Sequence, residues 1–395
     1  MPTLSFADAR KSVLDNVPTA HPPIESIPLE AANNRVLAVP LTADRDYPAT
    51  ARSVRDGFAI KAANSPGTFT VIGEVRAGGD PFTTQINDYE AVEIMTGAPL
   101  PPGADAVVMV EHTTSSNGLQ MQTEKHLHPG ENFNRQGCEA KSGELIVHPG
   151  KRIAYTDVAL AATYGFSTLP VFRKPTIAIL ATGDEILEIS DHPLPHQIRN
   201  SNSWALAAQV ERAGGIAKIL PVARDNFEST SKLVEEGLHS DLLLLSGGVS
   251  AGKYDIVEKV LSTFGAHFYF DRVAIQPGAP LVFGKVGQTF FFGLPGNPSS
   301  AMVTFELFAR PALDRLSGVQ DAQLFLPYAK LTKDFKHRPG LTRFLPAILN
   351  HGDITPLPWS GSSDVAALAR SNAYLVADPN KAEYEAGELI QVLLK

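Results

Sequence analysis

Four consecutive leucines, Leu242 to Leu245, run straight into Ser246-Gly247-Gly248, and the segment 242–255 reads LLLLSGGVSAGKYD. An unbroken apolar run that ends at a turn suits a strand buried on both faces, as in a parallel sheet. Two glycines at its end let the chain bend and let a ligand approach the backbone. Apolar residues then recur at Ile256, Val257, Val260 and Leu261, which is helical spacing. A strand, a glycine loop and a helix start converge N–H groups on something negative. Gly247, Gly252 and Lys253 nearly spell a P-loop, but Tyr254 stands where that motif needs the Ser or Thr hydroxyl that holds magnesium. A carboxylate, Asp255, follows instead. The loop reads as an anion site of another lineage, with Asp255 as its cation ligand, although an ordinary strand–turn–helix connection shares the glycine pattern.

A chain of 395 residues is long for one domain, and two to four are expected. The formal net charge of −8 argues against a non-specific nucleic-acid binder, while leaving room for an anionic small ligand. Cys138 is the sole cysteine, so no intramolecular disulfide can form, which fits a reducing compartment. The start MPTLSFADARK lacks the apolar region of a signal peptide. No apolar run reaches the ~18 residues of a membrane helix. A soluble, cytoplasmic protein is expected.

Residues 5–15 predict a short amphipathic helix, and 28–39 a short strand-and-helix pair. From about 45 to 137, runs such as FTVIGEV, AVEIMTG and LQMQTEK are short, β-rich and spaced by Gly, Pro and Asp, as in a small β module. Residues 155–164 return to helix. Between 173 and 318, strands (IAILA, AKILPVA, LLLLS, FFFG) alternate with helices, including one over 201–215 capped by Ser201 and stopped by Gly214–Gly215, and a long one over about 299–316. That alternation predicts an α/β domain with a mainly parallel sheet. From 319 the pattern is strands and turns, so a C-terminal β module is expected.

Three loops of one kind follow strands of the α/β region. The first carries Thr182, Gly183, Asp184 and Glu185; the second begins at Ser246; the third carries Pro295, Gly296, Asn297 and Pro298, with Ser299 or Ser300 able to cap a helix. Ligands of open α/β sheets sit beyond the carboxyl ends of the strands, so the three loops predict one pocket with anion donors and acids. Elsewhere the local signals are weaker. Asp56-Gly57 reads equally as a hairpin turn. His126 and His128 alternate on a predicted strand without a third ligand, and Pro193 and Pro195 prevent a helix from aligning His192 with His196, so no zinc site is expected.

The ordered segments RDGFAI (55–60), IMTGAPLPPGADAVV (94–108), RQGCEAKSGE (135–144), ATGDEI (181–186), SGGVSAGKYD (246–255), QPGAPLVFG (276–284), GLPGNPSSAM (293–302) and the later GSS…ALARSNAY resemble the molybdopterin molybdenumtransferase family, the bacterial MoeA and gephyrin E-domain group. The resemblance spans nearly the whole chain. It implies four parts: 1–44 with 138–172 as a dimerising region, 45–137 as a β module, 173–318 as an α/β domain similar to molybdopterin adenylyltransferases, and 319–395 as a β-barrel-like module. It implies a soluble homodimer with a site shared between chains. The implied reaction converts adenylated molybdopterin and molybdate, with Mg2+, to molybdenum cofactor and AMP, with the adenylyltransferase upstream as a further partner.

In that family's terms Asp56, Thr96, Glu139 and Asp255 surround the reacting phosphates. Thr182 to Glu185, Ser246 to Ser250 (with Gly247 and Gly248) and Pro295 to Ser299 hold nucleotide and pterin. Asp184 and Asp255 hold the metal, and Arg272 and Ser362 face molybdate. The chain departs from the pattern at Asn134, where an arginine is missing or moved by one place; at Asn200, where Asp is usual; and at Gln276 and Ala279, where lysines are usual. Losing two cations should weaken an oxyanion site by roughly 1–3 kcal/mol per charge-assisted bond. Two other readings remain: a non-catalytic paralogue that binds pterin nucleotide as a scaffold, and a nucleotide pyrophosphatase of the competence-damage-protein type.

Overall fold

A computed structural model of the chain describes residues 1–116, 118–247 and 256–395. The leucine run forms the strand Leu242–Ser246 at the centre of a six-stranded sheet. The order across that sheet is Ile216–Ile219, Thr176–Ala181, Leu242–Ser246, Thr289–Leu294, Val282–Val286 and His267–Phe270. The first four strands are parallel, Val282–Val286 runs antiparallel to them, and His267–Phe270 pairs antiparallel with Val282–Val286. Side chains alternate between faces along a strand. Leu242 and Leu244 accordingly join Ile177, Ile179, Phe290 and Phe292 in one core layer. Leu243 and Leu245 join Ala178, Leu180 and Phe291 in the other. Helix Ser201–Arg212 and the long helix beyond Pro298 cover the first layer through Leu206, Val210, Phe305 and Phe308. Helices Phe227–Gly237 and Ile256–Thr263 cover the second through Val234, Val257, Val260 and Leu261. All four leucines are fully buried, and truncating any one to Ala should cost about 2–5 kcal/mol.

The helix starting at Ser201 is capped by Asn200, one residue earlier than expected. The Asn200 side chain accepts the Ser203 N–H at 3.1 Å, and its backbone is still non-helical, whereas Ser201 is already inside the helix. The predicted helix over 299–316 is continuous but not uniform. It runs as α-helix over Pro298–Thr304, widens to a π-turn over Phe305–Ala309, and resumes over Arg310–Leu316. Pro311 has no N–H to give to the Leu307 carbonyl four residues back. Arg10, from the N-terminal helix Phe6–Asn16, donates to that carbonyl at 2.7 Å instead. Burial lowers the Arg10 guanidinium pKa to about 10. Ala9, Val13 and Val17 join the same core layer as Ile177, so this first helix packs against the α/β sheet.

Residues 28–39 hold no α-helix: the strand Ile24–Pro28 is followed by a single 3-10 turn, Leu29–Ala31, and Asn34 adopts positive φ. That strand pairs antiparallel with Thr168–Phe172, and Leu41–Thr42 pairs with Leu145–Val147, which ties the two stretches together around Leu37, Ile153 and Val171. Between them lies a second six-stranded sheet, ordered Ala106–Met109, Gly57–Ile60, Glu90–Ile94, Gly67–Val75, Gln120–Thr123 and Thr114–Ser116. His126 and His128 fall beyond its Gln120–Thr123 strand rather than on it.

The C-terminal part closes into a five-stranded barrel. Thr342–Asn350 pairs with both Asp353–Pro356 and Ala373–Ala377, and Tyr328–Leu331 and Leu389–Leu394 complete the ring. The short strand Ile275–Gln276, from the α/β region, adds to its edge against Thr342 and Arg343.

Candidate active site

The three predicted loops leave adjacent parallel strands, Thr176–Ala181, Leu242–Ser246 and Thr289–Leu294, and meet at one end of the sheet. Each is tied to the next. The Thr182 N–H donates to the Ser246 carbonyl at 3.1 Å, and the Gly247 N–H to the Leu294 carbonyl at 3.3 Å. The loops approach too closely for side chains at Gly247: a Cβ there would lie 2.6 Å from the Thr182 carbonyl oxygen, and φ is +90°. Only glycine meets both demands without strain. A cleft of about 690 Å³ opens above these loops. Thr182, Gly183, Glu185, Ser246, Gly247, Pro295, Gly296, Asn297 and Pro298 all line it.

Asn202, in the first turn of the helix that Asn200 caps, fastens the loops from the side. Its Nδ2 donates to Ser246 Oγ at 2.8 Å and to the Gly296 carbonyl at 2.7 Å. The Asn202 Oδ1 acceptor and the Thr182 hydroxyl are buried and unpartnered among the described residues. Buried polar atoms are normally paired, so two orphans in a cleft mark places a ligand fills. Asp225 also lines the cleft. It is bound reciprocally to Asp184: the Asp225 N–H donates to Asp184 Oδ1 at 3.2 Å and the Asp184 N–H to Asp225 Oδ2 at 3.4 Å. Asp184 itself is exposed at the rim. Sequence reading missed Asn202 and Asp225. The SNS following Asn200 was a visible cue for the first, while Asp225 is brought in by the alignment of Thr182 with Ala223 across neighbouring chain segments. Gly248, Ser250 and Asp255 lie outside the described residues.

A second cleft, of about 380 Å³, lies among the N-terminal elements and shares no lining residue with the first. Arg45, Tyr47, Arg52, Thr96, Asn134 and Glu139 are among its lining residues. Gly57 begins a strand between Glu90–Ile94 and Ala106–Met109, and a Cβ on it would lie 1.9 Å from the Val108 carbonyl oxygen. Asp56 therefore stands at a strand edge and not in a two-residue hairpin turn. Its Oδ1 accepts the Thr96 N–H at 2.6 Å and the Thr96 hydroxyl at 2.8 Å. Those two bonds, the backbone one first, hold the Asp56 carboxyl below its ordinary pKa. The Glu139 N–H donates to the Tyr47 carbonyl at 3.0 Å. Nearby, burial and then the Glu139 charge raise the Tyr164 phenol pKa.

Five expected residues lie apart from both linings: Asp56 and Asp184, placed above, and Arg272, Ser299 and Ser362. Arg272 is exposed beside the N-terminal segment, its carbonyl accepting the Leu4 N–H at 3.1 Å. Ser299 is buried behind the third loop, where its N–H donates to the Ser362 carbonyl at 2.9 Å, which joins the two. Among the described residues no group of three or more His, Cys, Asp or Glu side chains could hold a metal, and no helix is long and apolar enough to cross a membrane.

Three family models match the chain in sequence: the MoeA N-terminal region (domain I and II) over residues 4–165, the probable molybdopterin binding domain over 178–315, and the MoeA C-terminal region (domain IV) over 328–395. The molybdopterin molybdenumtransferase of Bacillus subtilis strain 168 is 36% identical over 385 residues, which cover 94% of this chain and 89% of the relative. The chain belongs to the molybdopterin molybdenumtransferase family. The Staphylococcus epidermidis RP62A protein of the same name is 35% identical over 383 residues, 93% of this chain and 90% of the relative. The solved structure of the molybdopterin biosynthesis MoeA protein of Pyrococcus horikoshii OT3 matches the fold with a TM-score of 0.82 at 27% identity, covering all of both chains.

Within a molybdopterin molybdenumtransferase frame, the four departures separate. Asn200 caps a helix, a task for which Asn and Asp are equivalent. Asn134 pairs with Arg52 in a short ladder and lines the second cleft, so an arginine remains at that spot. Gln276 lies in register with Arg343 of the barrel, and Ala279 supplies a carbonyl to the Val273 and Leu281 N–H groups.

Proposed function

We propose that this chain acts in molybdenum cofactor biosynthesis, inserting molybdenum from molybdate into adenylated molybdopterin with release of AMP. The observation that carries the reading is the first cleft: three strand-end loops locked edge to edge, with Thr182 Oγ1 and Asn202 Oδ1 left for a ligand. A pterin nucleotide has ring donors for the Asn202 oxygen and phosphate or ring acceptors for the Thr182 hydroxyl. Backbone N–H groups at strand ends suit its phosphates. The loops Thr182 to Glu185, Ser246 to Ser250 and Pro295 to Ser299 hold the nucleotide and pterin, and Ser362 with Arg272 faces molybdate.

Magnesium fits the oxygen chemistry present. Mg2+ is usually held by one or two carboxylates together with substrate phosphates and water. Asp184 and its neighbour Asp225 provide such carboxylates, the sequence adds Asp255 as a further candidate, and no Lys or Arg ion pair neutralises Asp184 or Asp225 among the described residues. When bound, the ion would offset the charge of the phosphates. The chain's own work is to clamp the substrate between rigid loops, exclude water from the cleft and aim carboxylates at the phosphoanhydride.

Thr96 and Glu139 line the second cleft, and Asp56 is bonded to Thr96 beside it. We place them opposite the first cleft of a partner copy, so that a homodimer assembles each site from two chains. Thr96 favours the charged form of the Asp56 carboxylate, which can accept a hydrogen bond from a water that adds to the phosphoanhydride phosphorus as the bond to AMP breaks. An upstream adenylyltransferase supplies the substrate. The family models extend across both flanking regions, which disfavours a pyrophosphatase confined to the α/β domain. The test is AMP release from adenylated molybdopterin with Mg2+, with and without molybdate or tungstate. Release that depends on the oxyanion is expected; tight pterin-nucleotide binding with no release at saturating oxyanion would show a scaffold instead.

A further inference from the structure

The helix that carries Asn202 has a second point of attachment, deeper in the helix layer. Glu306 lies in the π-turn over Phe305–Ala309, and its side chain is only 5% exposed. Three side chains converge on it. Gln209 Nε2 donates to Glu306 Oε1 at 2.6 Å and to the Met302 carbonyl at 3.1 Å. Arg212 donates to the same Oε1, and Arg310 donates to Oε2 at 3.1 Å. Both partners of Gln209 Nε2 are acceptors, which fixes the way that amide points. The Gln209 Oε1 is left buried without a donor among the described residues. Tyr374 of the barrel lies close enough to feel the cluster: burial first, and then the Glu306 charge, raise its phenol pKa. A buried carboxylate held by cations stabilises a fold no better than apolar residues of the same volume would. What it contributes is one defined geometry.

That geometry bears on the first cleft. Asn202 and Gln209 are seven residues apart on one helix, so they share a face, with Gln209 roughly 10 Å further along. Asn202 bonds the Gly296 carbonyl at 2.7 Å, just ahead of the helix that starts at Pro298. Gln209 bonds the continuation of that same helix at Met302 and Glu306. Helix Ser201–Arg212 is therefore tied to the third loop and its helix at two points. A single tie would leave it free to roll and slide, whereas two fix its rotation and its advance. A small roll at the helix start would turn Asn202 Oδ1, the acceptor left for a ligand, away from the cleft.

We propose that Glu306 is a positioning residue for substrate binding: through Gln209 and Arg212 it sets the rotation of helix Ser201–Arg212, and so the aim of Asn202 into the first cleft. Glu306 touches no ligand itself. The proposal rests on the functional reading above for the identity of the ligand.

Two readouts keep the two claims apart: hydrogen exchange of the ligand-free chain, and affinity for adenylated molybdopterin by calorimetry, with AMP release at saturation beside it. Glu306→Gln keeps the shape and removes the pull of two arginines. It should speed exchange in peptides covering 200–206 and 294–299. It should weaken affinity by about fivefold or more and leave saturated release within about twofold. Added to Asn202→Ala, it should weaken affinity by no more than about twofold further, because nothing remains to be aimed. Exchanging the pair, Gln209→Glu with Glu306→Gln, should recover most of the loss, since donor and acceptor only trade helices; a misfolded variant cannot mimic that. Unchanged exchange at 200–206 in folded Glu306→Gln overturns the proposal, and so do affinity losses that add in full to those of Asn202→Ala. Faster exchange that the pair exchange reverses, in a chain that binds no adenylated molybdopterin, supports the positioning role and sinks the function.

Discussion

The cleft above the central sheet presents mainly backbone, hydroxyl and amide groups, whereas the cleft beside Thr96 presents guanidinium and carboxylate groups. The first is held by parallel strands buried on both faces, with its loops cross-bonded at 2.7–3.3 Å through Asn202, Thr182 and Gly247. The second is held by turns, by the short Arg52–Asn134 ladder and by the bonds from Thr96 to Asp56 and from Glu139 to Tyr47. A cradle built mainly of backbone, hydroxyl and amide groups suits recognition of a large planar ligand. A charged, less enclosed surface suits the reacting end of that ligand. Glu185, Arg199 and Asp225 also line the first cleft and Thr96 and Asn134 the second, so the two differ in balance rather than in kind.

Substitutions should divide along the same line. The largest loss is expected from Asp56→Asn, which keeps the shape but removes the charge that Thr96 stabilises. AMP release should fall by about 100-fold or more, with adenylated-molybdopterin affinity nearly unchanged by calorimetry. An equal loss of affinity would blur the contrast between the clefts. Asn202→Ala should do the reverse. It removes the clamp on Ser246 and Gly296 and the unpartnered acceptor, so substrate affinity should drop by about tenfold, with a smaller effect on the rate at saturation. A variant with intact affinity would mean that Asn202 only braces the loops.

Much of this was legible in the chain. Leu242 to Leu245 declared a doubly covered strand, and the turn chemistry of Thr182-Gly183, Gly247 and Gly296-Asn297 declared three loops of one type. Their convergence followed from a parallel sheet, since adjacent parallel strands present their carboxyl ends together. The quoted motifs carried the family. What was not legible depended on contacts distant in sequence. Asp225 reaches the cleft through strand order, and Asn202 through helix phase. Arg343 meets Gln276 because two residues of the α/β region add to the edge of a barrel, a pairing that no local pattern announces. The helix start was placed at Ser201 because Ser and Asn cap equally well and only the backbone turn at Asn200 separates them. Of the strand-and-helix pair expected over 28–39, the helix failed at Asn34, whose positive φ ends a helical run after a single 3-10 turn.

Mixing two inactive variants tests the composite site most directly. Asp56→Asn disables the second cleft, and a double variant, Thr182→Val with Asn202→Ala, disables the first. If each site draws one cleft from each of two chains, random re-association of equal amounts should restore about a quarter of the unaltered activity. No activity above that of the separate variants, with mixed dimers verified by mass, would contradict the account.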